Sequence, residues 1–158
     1  MNKYIPLPSQ EELLNTFAYD QKTGLITRKK SGKIYTNTSP SGYITIKHKY
    51  KDYQASRLIW VMMTGEDPGV QMVDHINRDR SDNRWSNLRI ATTKQNAINR
   101  SGVKGYCERE RVEGKNVYTA QIKIDGRDRH LGTYKHKSHA RVAYLAVKKF
   151  LFPDFCPQ

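Results

Sequence analysis

Cysteine is nearly missing from this 158-residue chain: Cys107 and Cys156 stand alone, far apart, with neither a neighbouring thiol nor a Cys/His spacing of the zinc-knuckle kind. No disulfide framework or structural zinc site is indicated, and a reducing compartment fits. Long apolar runs are missing as well. No stretch approaches the roughly 20 residues needed to cross a bilayer, and Met-Asn-Lys-Tyr-Ile-Pro-Leu-Pro at the start has no signal-like apolar core. The expectation is a soluble, cytoplasmic protein with no membrane partner. Acidic residues are also scarce: 15 Asp+Glu face 28 Lys+Arg, a formal charge of +13. An excess of that size usually meets a polyanion. Here the cations are interleaved with Tyr, Asn, Gln and Thr, a mixture suited to phosphate and base contacts, so nucleic acid is the expected partner.

A length of 158 residues can hold one ordinary domain or two small ones with limited cores, and two modules fit the pattern along the chain. Ser9-Gln10-Glu11-Glu12 reads as a capping box, with Leu13, Leu14 and Phe17 on one side of the helix it opens. Leu25-Ile26-Thr27, Tyr43 to Lys47 and Tyr53-Gln54-Ala55 read as short strands of one small antiparallel sheet. Arg57 to Thr64 is a buried helix stopped by Gly65. A strand ending at Val73-Asp74-His75, a loop, a strand at Leu88 to Ala91 and a helix capped by Thr92-Thr93-Lys94-Gln95 follow. Asn99 to Gly102 marks a boundary. Beyond it, Tyr106 to Arg111, Val117 to Ile124 and Arg129 to Tyr134 form three strands, with Asp125-Gly126 as a hairpin turn. Ala140, Ala143, Val147 and Phe150 recur at helical spacing after Ser138 as N-cap. The fold class is α+β.

Val73 to Asn96 carries the chemistry. Asp74 offers a hard carboxylate oxygen and Asn96 a neutral carbonyl oxygen, a pair suited to Mg²⁺ or Mn²⁺. Such an ion stabilises the leaving 3′-oxygen of a phosphodiester and the charge of the transition state. His75 projects from the opposite side of the strand and is placed to take a proton from the attacking water. Asn87 is placed to fix the second ring nitrogen. Asn77, Asp79, Asp82 and Asn83 read mainly as loop residues. Arg78, Arg80, Arg84 and Arg89 are suited either to phosphate or to local pairing with Asp79 and Asp82.

Residues 13 to 100 resemble the HNH endonuclease family in its phage and intron-associated branch. The resemblance rests on Y-D-Q-K-T-G-L-I-T-R, S-G-Y-I-T-I, S-R-L-I-W-V-M-M-T-G-E and D-H-I-N-R-D-R-S-D-N-R-W-S-N-L-R-I-A-T. It implies a ββα-metal module, Asp74 and Asn96 on the metal, His75 as general base and Asn87 orienting it. Asn96 stands where many relatives have histidine, which favours Mg²⁺ or Mn²⁺ over zinc. Residues 102 to 152 resemble the Apetala-type DNA-binding domain of ethylene-response factors, through G-V-K-G-Y, Y-T-A-Q-I-K-I-D-G, H-L-G-T-Y and H-A-R-V-A-Y. That family lays its sheet in the major groove. Carried across by alternation, Arg109, Arg111, Thr119, Gln121, Lys123 and His130 would face double-stranded DNA, with Tyr106, Ala120, Ile122, Ile124 and Leu131 against the helix.

The resulting expectation is an HNH nuclease domain over residues 1–100, with its core at about 70–100, and a DNA-binding domain over 101–158. Together they make a site-recognising nicking or homing endonuclease acting as monomer or homodimer, with no small-molecule substrate. A non-catalytic DNA-binding regulator and a structural RNA-binding protein are the competing readings. Metal dependence separates the first, and competition between duplex DNA and RNA the second.

Overall fold

Residues 6–99, 102–110 and 116–155 are described in a computed structural model, and the chain divides into two units, 1–97 and 98–158. In the first unit α1 (Gln10–Thr16) starts where the Ser9 hydroxyl accepts the Glu12 N–H at 3.2 Å. The box is only half made. Glu12 turns its carboxylate to His48 Nε2 at 2.5 Å and Lys49 Nζ at 2.8 Å instead of returning to the cap. Phe17, expected on the helix, ends it and opens β1 (Phe17–Tyr19), which pairs antiparallel with β2 (Ile26–Arg28). Its ring packs edge-on against His48, so burial of the aromatic overrides helical continuity.

β3 (Thr45–His48) and β4 (Lys51–Gln54) form a separate hairpin, so the one small sheet expected here is two two-stranded sheets. α2 (Ala55–Thr64) follows and ends on Gly65 at φ +79, the left-handed cap that glycine adopts without strain. The core of this unit joins Leu13, Phe17, Ile26, Ile46, Leu58 and Ile59. Burying each of these side chains is worth about 1.5–3 kcal/mol. On this base stand β5 (Met72–His75) and β6 (Leu88–Ala91), paired antiparallel, and then α3 (Thr93–Asn99). Arg57 of α2 donates to the carbonyls of Gly69 and Gln71 at 2.9 Å each, fixing the approach to β5.

The second unit is a sheet in the order β7 (Tyr106–Glu110), β8 (Asn116–Ile124), β9 (Arg127–Tyr134), followed by α4 (Lys137–Leu151). α4 buries Ala140, Tyr144 and Lys148, spaced by four. Gly105 lies against the Tyr144 ring so closely that a Cβ there would fall 2.1 Å from it. Two expectations fail on this helix. The N-cap position is His136 without a side-chain bond, not Ser138, and Phe150 is 86 % exposed, because the buried stripe runs along 140, 144 and 148 and Phe150 falls outside it.

Candidate active site

β5 alternates its side chains across the sheet, and the alternation separates two kinds of chemistry. Met72 and Asp74 share one face, Val73 and His75 the other. Asp74 is opposite Arg89 in the register, and both Nε and Nη2 of Arg89 donate to Oδ2 of Asp74, at 2.9 and 2.7 Å. Asp74 is buried and Arg89 partly so, and this charge-assisted fork holds the carboxylate in place. α3 begins with a complete capping box, Thr92 N–H to Gln95 Oε1 at 2.9 Å and Gln95 N–H to Thr92 Oγ1 at 3.2 Å. One turn on, Asn96 Nδ2 lies 3.3 Å from Met72 Sδ. The helix thereby brings Asn96 to the face of β5 that carries Asp74.

His75 sits on the opposite face, 3 % exposed. Its Nε2 is 3.1 Å from Asn83 Oδ1, while Asn83 Nδ2 points to the Ser81 carbonyl at 3.4 Å. An amide oxygen only accepts, so Nε2 carries the hydrogen, and in the neutral ring Nδ1 carries the lone pair. Burial pushes the His75 pKa below its ordinary value, against the opposing pull of the Asn83 bond and of Asp74, Asp79 and Asp82. The ring is therefore neutral at neutral pH. The Tyr43 ring lies 5.9 Å from it, with the Arg80 guanidinium 4.9 Å over Tyr43 and Arg80 Nη1 bonded to the Ser41 carbonyl at 2.8 Å.

Asn87 does something other than expected. Its Oδ1 accepts the Asn77 N–H at 2.9 Å, and its Nδ2 donates to Asn77 Oδ1 at 3.0 Å and to the Asp82 carbonyl at 2.7 Å. The carboxamide clasps the two ends of the loop, and Asn83, which that loop carries, holds the imidazole. The same loop is fastened by Asn77 Nδ2 to Asp82 Oδ2 at 2.7 Å and by the Arg84–Asp82 pair at 2.6 Å. Arg84 holds the Asp82 carboxyl below the usual carboxylate range, and Ser81 does the same for Asp79. From below, the β1–β2 turn braces it: Tyr19 donates its hydroxyl to the Asn83 carbonyl at 2.8 Å, and the Trp85 N–H reaches the Gln21 carbonyl at 3.1 Å. Burial pushes the Tyr19 hydroxyl up to about 12, keeping it a donor.

Sequence reasoning placed Asp74, His75 and Asn96 on the elements where they are found, but missed Asn83, Arg89 and Tyr43. A buried Asn in a run of turn residues has no periodic signature, and the Arg89–Asp74 pair becomes visible only with the strand register. Among the described residues no three His, Cys, Asp or Glu side chains converge.

In the second unit, register puts Arg109, Thr119, Gln121 and Lys123 on the sheet face away from α4. A bulge at Ala120/Gln121 sets His130 opposite Gln121, on that same face, with Nε2 3.3 Å from Thr133 Oγ1. Gln121 Nε2 lies 3.3 Å from Cys107 Sγ, and Lys123 is 3.9 Å from Asp128. Arg111, expected in this set, lies outside the described residues. No helix among the described residues is long and apolar enough to cross a membrane.

A solved structure described as DNA binding and cleavage by the HNH homing endonuclease I-HmuI is 20% identical, with a TM-score of 0.46, covering 80% of this chain and 77% of that one. An uncharacterized HNH endonuclease, L560 of Acanthamoeba polyphaga mimivirus, is 28% identical over 116 residues, 73% of this chain, and this chain spans 61% of that relative's length. Residues 53–98 match the model of the HNH endonuclease family, and this is the segment, from β4 into α3, that carries Asp74, His75, Asn83, Asn87 and Asn96.

Proposed function

We propose that this protein is a divalent-metal-dependent endonuclease that hydrolyses phosphodiester bonds of double-stranded DNA one strand at a time, using a ββα-metal centre. The observation that supports it most is the division of β5 into two faces: the Asp74 carboxylate on one, with Asn96 brought to that same face, and an imidazole bonded to Asn83 on the other. Donor chemistry fits Mg²⁺ or Mn²⁺, both oxygen-seeking ions that keep several waters and tolerate few protein ligands. Asp74 and Asn96 would hold the ion, which supplies charge stabilisation to the leaving 3′-oxygen and the phosphoryl oxygens. Arg89 fixes the carboxylate and balances its buried charge.

His75 acts as general base. Water attacks phosphorus, its proton passes to Nδ1, the bond from phosphorus to the 3′-oxygen breaks, and that oxygen takes a proton from solvent, leaving a 5′-phosphate and a 3′-hydroxyl. A positioned base of this kind contributes about 10²–10⁴ in rate. Asn83 sets which nitrogen receives the proton, and Asn87 keeps the loop closed so that Asn83 stays in place.

The β7–β8–β9 face supplies recognition in this reading, as in the Apetala-type domain it resembles. Gln121 and Arg109 suit adenine and guanine edges, while Lys123 suits phosphate. A single metal centre makes nicking the expected outcome for a monomer, and a double-strand break would need a homodimer or a second encounter. The test is supercoiled plasmid. Wild-type protein should yield open circles with Mg²⁺ or Mn²⁺ and nothing in excess chelator. Binding without any metal-dependent product would overturn the proposal in favour of a non-catalytic DNA-binding protein.

A further inference from the structure

Two hairpins of this chain turn through the same backbone conformation with different residues. β8 and β9 are joined by Asp125-Gly126 at φ +48 and +78, and β3 and β4 by Lys49-Tyr50 at φ +46 and +63. Positive φ at both central positions is the pattern of the type I′ turn, which Asn-Gly and Asp-Gly adopt with least strain. Lys and Tyr pay for it, because a Cβ in the left-handed region crowds the following carbonyl. The chain uses the cheap pair in one hairpin and the costly pair in the other.

Nothing within the fold repays that strain through Tyr50. Its side chain is 98 % exposed, and among the described residues it makes no ring contact or hydrogen bond. The strain therefore points outward, to a role at the surface. Lysines flank it along the chain, Lys47 and Lys51 on opposite faces of the hairpin. Lys47, Lys49 and Lys51 are exposed on the same hairpin, opposed locally by Asp52 and by Glu12, which pairs with Lys49. Arg28 Nη2 donates to the Lys47 carbonyl at 2.8 Å and ties the basic turn after β2 beside the hairpin. A projecting aromatic flanked by lysines suits a partner that offers phosphates together with flat sugar and base surfaces.

We infer that the Lys49-Tyr50 tip is a second DNA-contacting element, in the nuclease unit itself, in which Tyr50 packs against the duplex groove wall and Lys47 and Lys51 neutralise phosphates. The inference rests on the endonuclease reading for its choice of duplex DNA and on none of the catalytic residues.

Tyr50→Gly tests it, since this change keeps the Lys49–Glu12 pair and relieves the left-handed strain. The melting temperature should stay at or above that of wild type, while affinity for a mixed-sequence duplex at fixed salt falls about five- to tenfold. The cleavage rate at saturating DNA should stay within about twofold. Replacing Lys47 and Lys51 together by Gln should lower the slope of log affinity against log salt by about 2. Undiminished affinity of Tyr50→Gly, or an unchanged salt slope in the double variant, would overturn the inference while leaving cleavage intact. Weaker binding by the variants of a protein that never cuts would uphold this surface and sink the endonuclease reading instead.

Discussion

The β5–β6 hairpin with its loop and the β7–β8–β9 sheet are both small antiparallel structures, yet they treat polar side chains in opposite ways. In the first, Asp74, His75, Asn83 and Asn87 are all buried and bonded to groups of the same hairpin and loop. In the second, Arg109, Lys123 and His130 are exposed, with Thr119 and Gln121 half-buried between them, and their internal bonds are few and long. Burial with complete hydrogen bonding fixes geometry, which attack on phosphorus demands. Exposure leaves side chains able to reach and adapt, which groove reading demands. The difference predicts that substitutions in the first region cost stability and rate, and in the second affinity alone.

The largest effect should come from Arg89→Ala, which leaves the buried Asp74 carboxylate without its fork. A loss of about 3 kcal/mol is expected, lowering the melting temperature by roughly 10 °C or more in thermal denaturation. Gly24→Ala should cost about 2 kcal/mol: Gly24 stands at φ +76, and a Cβ there would lie 2.6 Å from the Arg84 nitrogen, in the loop that carries Asn83. Cleavage should fall with it. A stable, fully active Gly24→Ala would show that the brace beneath the loop is dispensable.

Asn83→Ala should lose about 1 kcal/mol of stability but slow single-turnover cleavage by about 10- to 100-fold, since the imidazole loses the acceptor that fixes its tautomer. Nitrogen-15 shifts of the His75 ring should then show both tautomers, where wild type shows hydrogen on Nε2. By contrast, Gln121→Ala on the exposed sheet should melt within about 0.5 kcal/mol of wild type while losing roughly tenfold in affinity for its preferred duplex. Equal loss of stability in both variants would erase the distinction between the regions.

Acid should reveal the smallest difference. The Asp82 carboxyl is held below its ordinary value of 3.8 by Arg84, so its contribution to the loop is complete above about pH 3.8 and is lost as pH falls through the lower folded value. Amide exchange at Asn87 and Arg84 should rise across that range in wild type, and less so in Asp82→Asn.

Much of this layout was legible in the sequence because it followed local rules. Gly65 stops α2, Thr92 and Gln95 cap α3, and Asp125-Gly126 turns the last hairpin, each through contacts within a few residues. The divided faces of β5 follow from strand alternation alone. Long-range competition hid the rest. Glu12 leaves its capping box because His48 and Lys49 attract it from a hairpin 36 residues away, and Phe17 leaves the helix for the core. Asn83 and Asn87 exchange their expected roles because loop closure decides which amide meets the ring, and no spacing encodes that.

In the proposed reaction an imidazole on one face of β5 drives water onto phosphorus while oxygen donors on the other face serve the same bond. Single-turnover cleavage of a duplex in saturating Mg²⁺ by wild type, His75→Ala, Asp74→Ala and the double variant tests it most directly. Groups acting on one transition state are not additive, so each single variant should lose at least about 10²-fold and the double variant little more, with duplex binding retained in all. Cleavage by His75→Ala at the wild-type rate would contradict the account.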